Sequence, residues 1–155
     1  MAIPHNLTIT HQRLFSSLFC WLKSIRLYIS MIIHAPISIG ELIDKITILK
    51  IKSILIVDKI KLKNIEQELQ LLEELKDSLN VDIDILEPLQ SKLYGVNLEL
   101  WHIENYKREC EKNQCFDDKF IETARQVYLK NDLRAEIKHS INKLFGSTIV
   151  EEKSY

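Results

Sequence analysis

The sequence predicts an all-α fold, a compact bundle of long amphipathic helices and helical hairpins, on three observations. Apolar residues recur at spacings of three and four along most of the chain, which marks helices with one buried side. With 3 Gly and 3 Pro in 155 residues, breaking residues are too sparse for a turn-rich β architecture. Capping residues stand where the periodic runs begin. Such helices cannot bury their stripes alone, so the chain is expected to close as a bundle or as an intertwined homodimer.

Residues 1–10 show no sustained period. From about His11 to Ile33, Leu14, Leu18, Leu22, Ile25 and Ile29 follow helical spacing, and Phe15, Phe19, Trp21 and Tyr28 widen the apolar side. A basic aromatic leader over residues 1–30 is therefore expected to be partly helical. It has three destinations: packing within the protein or its dimer, a position outside the core, or attachment of residues 11–33 to an anionic membrane with Lys23 and Arg26 among the headgroups. Lys23 interrupts the apolar run, and no small-residue cleavage site follows, which argues against a signal peptide or a spanning helix.

The helical core is expected over residues 31–150. Ser38 with Glu41 three positions later forms a capping box, and Leu42, Ile46, Leu49, Ile56 and Ile60 continue in phase with Ser53 filling the seam. A single helix from residue 38 to residue 79 would be about 63 Å long at 1.5 Å per residue, too long for a domain of this size. A break near Val57 with Asp58 as the next cap resolves this, followed by a stripe of Leu62, Ile65, Leu69, Leu72, Leu75 and Leu79. Residues 80–84 read as a connection, with Asp84 capping a helix that carries Leu86, Leu89, Leu93, Val96, Leu100 and Ile103. Gly95 beside that stripe suggests a close helix crossing. Asp117 caps a further helix with Phe120, Ala124, Val127 and Tyr128 on its buried side. A last, shorter helix is expected after Asn131 or Asp132, burying Leu133, Ile137, Ile141 and Leu144 before Gly146 stops it. Residues 151–155 read as an exposed tail.

The formal net charge of -1 is unsuited to a general nucleic-acid binder, which needs a concentrated basic surface. The three cysteines, Cys20, Cys110 and Cys115, have no metal-ligand spacing and form an odd set, so a reducing, cytoplasmic setting is expected. No glycine-rich phosphate loop, zinc-protease helix or nucleophile elbow is present, and no cofactor is called for.

Two Glu-x-x-His pairs, Glu99 with His102 and Glu136 with His139, have the spacing of carboxylate-bridged di-metal bundles, to which Glu41 and Glu73 or Glu74 would be added. Their phase relative to the apolar stripes points both histidines away from the core, so no metal site is expected. Trp101 and Tyr106 beside a heptad-like stripe read as seals of a packing seam.

Two polar faces are better candidates for a ligand site. The first is Glu41, Asp44, Lys45 and Lys52, in which Glu41 and Lys45 are spaced for an i,i+4 pair. The second comprises Arg125, Tyr128, Asn131, Asp132, Arg134, Lys138 and Asn142. There, Tyr128 and Asp132 share a side with Arg125, while Arg134, Lys138 and Asn142 form a stripe able to hold carboxylate, phosphate or sugar groups. Each face alone is also what a solvated or interhelical polar network looks like.

The segment APISIGELIDKITILKIK (residues 35–52), with its PxSxGELxDKITIL pattern, closely resembles the start of a bacterial family of small uncharacterised proteins. The likeness continues through residues 97–104, 120–135 and 141–147 to the terminal EEKSY, covering residues 31–155. Some members occur near sugar-transfer or surface-polysaccharide functions, which implies a carbohydrate-associated role. Its matching polar positions coincide with the two faces and add Glu104. Lys59 departs from a proline-like position, and His102 from an acidic one. The expectation is a non-catalytic helical binding or scaffold protein, working as a homo-oligomer or with a carbohydrate-modifying protein. The alternative is an enzyme or accessory factor for an anionic or sugar-containing small molecule.

Overall fold

The computed structural model describes residues 32–152, and the chain from Pro36 onward forms a compact unit by itself. The leader helix expected over residues 11–33 lies, apart from its last two positions, outside the described residues, as do the last three residues of the tail. Four helices make up the described unit, with no strand among the described residues: α1 (Ile39–Leu55), α2 (Lys59–Ser78), α3 (Ile83–Asn113) and α4 (Asp118–Leu144). None of them is long and apolar enough to cross a membrane.

The caps explain where each helix starts. Ser38 Oγ accepts the Glu41 N–H at 3.2 Å, and Asp58 accepts from Ile60 and Lys61 at 2.9 and 3.1 Å. Those backbone donors, Lys61 foremost, hold the Asp58 carboxyl below its ordinary pKa. Asp117 accepts from Phe120 at 2.9 Å. The cap of α3 is Asp82 and not Asp84: Asp82 takes the N–H groups of Asp84 and Ile85, while Asp84 lies in the first turn as a helix-dipole partner. Pro88 then falls in the second turn on the exposed side, and its missing N–H leaves the Asp84 carbonyl without its helical donor.

The last two expected helices are one. Asn131 stays helical because its amide donates to the Val127 carbonyl at 2.9 Å, a bond back into its own helix in place of a cap. The continuous α4 then ends in a Schellman turn: Ser147 N–H bonds Asn142 C=O at 2.9 Å, Gly146 N–H reaches Lys143 C=O at 3.4 Å, and Gly146 has φ 65°.

Helix α1 is the centre, packing against α2, α3 and α4, while α3 and α4 pack on each other. The core joins Leu42, Ile43 and Ile46 of α1 to Leu86, Leu93, Val96 and Leu100 of α3 and to Ile137 and Ile141 of α4; Leu69 and Leu72 of α2 cover one edge. Several stripe residues are not in it. Leu75, Leu79, Tyr128, Leu133 and Leu144 are exposed, and Ile60, expected to continue the α1 seam, lies past the break and is exposed. Gly95 has no neighbour within 4 Å of an added Cβ, so it makes no close crossing. At the α3–α4 turn, Lys119 sits over the Tyr106 ring at 4.8 Å. A hydrogen bond to Cys110, aided by burial, pushes the Tyr106 hydroxyl up to about 12.

Candidate functional site

The N-terminal half of α1 lies against the C-terminal half of α4, and polar groups fix this contact. Gly40 N–H donates to Asn142 Oδ1 at 2.7 Å. A Cβ at Gly40 would come within 2.6 Å of the Lys138 carbonyl oxygen, so only glycine permits this approach.

One turn further along α1, Asp44 is 1% exposed. Its Oδ1 accepts from Arg134 Nε and from Asn97 Nδ2, each at 2.8 Å, and its Oδ2 pairs with the other arm of the guanidinium. Asn97 also donates to Thr47 Oγ1 at 2.9 Å, and Thr47 in turn donates to the Asp44 carbonyl at 2.7 Å. One carboxylate thus joins α1, α3 and α4. The bond to Asp44 raises the Arg134 pKa and outweighs the opposing effect of burial.

Lys138 lies beside this network, 8% exposed, with its ammonium 2.6 Å from both Glu41 and Glu151. Burial works against its charge, but the two carboxylates prevail and its pKa is raised. Above it opens a cleft of about 590 Å³, whose rim is Glu41 on α1 and Glu151 in the segment after α4. Its wall is the α4 face of Val127, Tyr128, Asn131, Asp132, Arg134, Ala135 and Lys138. Six of the polar residues singled out from the sequence therefore meet here: Glu41, Tyr128, Asn131, Asp132, Arg134 and Lys138. Asp44 and Asn142 contact Arg134 and Gly40 from buried positions and do not line the cleft.

Lys45, Lys52 and Arg125 are not among its lining residues. The expected Glu41–Lys45 pair is replaced by two tertiary ones, because Lys45 reaches Glu68 on α2 at 2.6 Å while Glu41 turns to Lys138. Arg125 is exposed, and Lys52 is half-buried in the last turn of α1. Glu104 pairs with Lys107 at 3.1 Å. Of the di-metal pattern, Glu99 pairs with Lys130, and both His102 and His139 are exposed. Among the described residues, no three His, Cys, Asp or Glu side chains are grouped to hold a metal ion.

Gly40, Asn97 and Glu151 escaped sequence reasoning. A signal for the burial of Asp44 existed: Leu42, Ile43, Ile46, Ile48, Leu49 and Ile51 place apolar side chains all round α1, the pattern of a central helix. An aspartate inside such a run is a buried one that needs a cation.

A family model described as a family of unknown function, DUF6165, matches residues 33–155. The chain belongs to this family. No curated protein and no solved structure matches it. In this DUF6165 chain the matched region takes in all four helices and both rims of the cleft, and it leaves residues 1–32 outside.

Proposed function

We propose that this DUF6165 member is a non-catalytic binding protein whose α1–α4 cleft takes a neutral polyhydroxylated ligand of the sugar class, in the service of carbohydrate-modifying proteins. The observation that carries this is the charge state of the cleft. Three carboxylates, Glu41, Asp132 and Glu151, line it against two cations, Arg134 and Lys138, and both cations are already ion-paired. An anion would meet a surplus of negative charge, whereas hydroxyl groups donate readily to carboxylates and accept from Asn131 and the cations. Tyr128 and Val127 offer an apolar face for a ring's C–H side, and the volume lies in the range of small-molecule sites.

The test is a resonance-by-resonance NMR titration of the full chain with methyl α-glucoside and N-acetylglucosamine. Shifts confined to the cleft are expected, with Tyr128→Ala or Asp132→Asn weakening binding about tenfold, as losing one buried stacking or hydrogen-bonding partner would. Unperturbed cleft resonances across both saccharides would remove the proposal.

A second reading, self-association, is favoured by the α1–α2 turn, where Ile54, Val57 and Ile60 are 68%, 91% and 78% exposed. Large aliphatic groups exposed together are the usual core of an isologous contact. Light scattering on wild type and Val57→Asp/Ile60→Asp tests it, with a concentration-dependent dimer expected only in the wild type.

A further inference from the structure

Arg134 of α4 also lines a second cleft, of about 430 Å³, whose other lining residues belong to α1 and α3. Along α3, Asn97, Trp101 and Asn105 stand four residues apart, with Arg108 completing the stripe, so one helix side presents them over three turns. Leu100 and Ile48 add apolar surface.

The polar groups divide into those already engaged and those available. Arg134 is neutralised by Asp44, and Glu104 is held by Lys107 at 3.1 Å. Both amide hydrogens of Asn97 are spent on Asp44 and Thr47, which leaves its Oδ1 as an acceptor. Arg108 is exposed, and its side chain makes no ion pair or hydrogen bond among the described residues. The available partners are thus an indole, an amide oxygen, the Asn105 amide and one uncommitted guanidinium.

We propose that this cleft is a second small-molecule site, for a hydroxylated ring that bears a carboxylate or phosphate. The ring lies on Trp101, where large aromatic surface and C–H groups pack without demanding a fixed register. A ring hydroxyl donates to Asn97 Oδ1. The acidic group takes the fork of Arg108, the geometry for which a guanidinium is best suited. The two clefts then differ in the sign of charge they select: the first repels anions, and the second holds, among its described lining residues, its one uncommitted charge as a cation.

The experiment uses the full chain with Trp21→Phe, which leaves Trp101 as the sole indole. Its emission is titrated with glucuronate and with glucose 6-phosphate at physiological ionic strength, with glucose as the neutral control. Saturable quenching by at least one acidic probe, absent with glucose over the same range, is expected. Arg108→Gln, an exposed substitution that leaves the core untouched, should raise the Kd about tenfold or more, as loss of a charge-assisted hydrogen bond requires. Tyr128→Ala, on the first cleft, should leave the Kd unchanged. The proposal is overturned by unaltered emission with both acids, by equal binding of glucose, by a Kd indifferent to Arg108→Gln, or by a Kd that follows Tyr128→Ala.

Discussion

Asn142 Oδ1 accepts the Gly40 N–H at 2.7 Å, so a side chain near the end of α4 satisfies an orphan donor in the first turn of α1. The bond is reached only because Gly40 has no Cβ. An alanine there would press on the Lys138 carbonyl oxygen at 2.6 Å and on Asn142 Oδ1 at 2.8 Å, and the former is helix backbone that cannot swing aside. Gly40→Ala should therefore destabilise the fold by about 1–3 kcal/mol, the range for overpacking, even though alanine is the better helix former. Gly95→Ala meets nothing within 4 Å and should stabilise by about 0.5–1 kcal/mol through propensity alone. Urea midpoints of the two variants check the pair. Equal stability of Gly40→Ala and wild type would mean that α1 and α4 do not approach so closely.

Asp44 and Arg134 form the pair on which three helices converge. Replacing Arg134 by Met leaves the carboxylate, 1% exposed, without its counter-charge and should cost about 3–5 kcal/mol. Neutralising Asp44 in the same chain, as Asp44→Asn/Arg134→Met, keeps an acceptor for Asn97 while removing the stranded charge. It should recover a large part of that loss. A double-mutant cycle in urea measures the coupling, and additive single and double changes would show that the pair is not a unit.

The parts of this fold that were legible in the sequence are the local ones. Ser38, Asp58 and Asp117 cap their helices through bonds spanning two or three residues, and Gly146 takes the left-handed turn it is suited to. The cap of α3 is Asp82 where Asp84 was expected; the two carry the same side-chain chemistry, and which of them caps depends on where the chain leaves α2. Asn131 and Asp132 looked like a break because both residue types compete with helix backbone. Contacts to α1 through Arg134, Lys138 and Asn142, remote in sequence, hold α4 straight through them. The same remoteness explains the site. Both polar faces were visible as helical stripes, but which members meet depends on the close α1–α4 approach at Gly40, and Lys45 and Lys52 lie outside the cleft it forms.

Stability against pH should carry the mark of Lys138. Its folded pKa is raised above 10.5 because the Glu151 and Glu41 carboxylates outweigh burial. A raised pKa on a basic group means that its contribution is fully present below the unfolded pKa and is lost as pH rises through the folded one. Wild type should therefore exceed Lys138→Met by a constant margin of about 1 kcal/mol near neutrality, modest because both carboxylates are half exposed. The margin should shrink above pH 10.5. Taking the difference between the two proteins cancels the titration of the other lysines and of Tyr106. A margin that stayed flat through that range would show that Lys138 gains nothing from its partners.

The two left-handed positions that end α3 and α4 should respond oppositely to substitution. Gln114 stands at φ 51°, a conformation that costs a residue with a Cβ about 1–2 kcal/mol. It is tolerated because Cys115 N–H closes on the Cys110 carbonyl at 3.0 Å and because the Gln114 amide donates to Glu111 C=O at 2.8 Å. Glycine at position 114 relieves the strain and forfeits only that exposed side-chain bond. Gln114→Gly should raise stability by about 0.5–1 kcal/mol. At Gly146, φ 65° is already held by glycine with open space around it, so Gly146→Ala should lower stability by about 1 kcal/mol through backbone strain and not through a clash. Thermal melts of both variants give the comparison, and a destabilised Gln114→Gly would show that the side-chain bond to Glu111 outweighs the strain it accompanies.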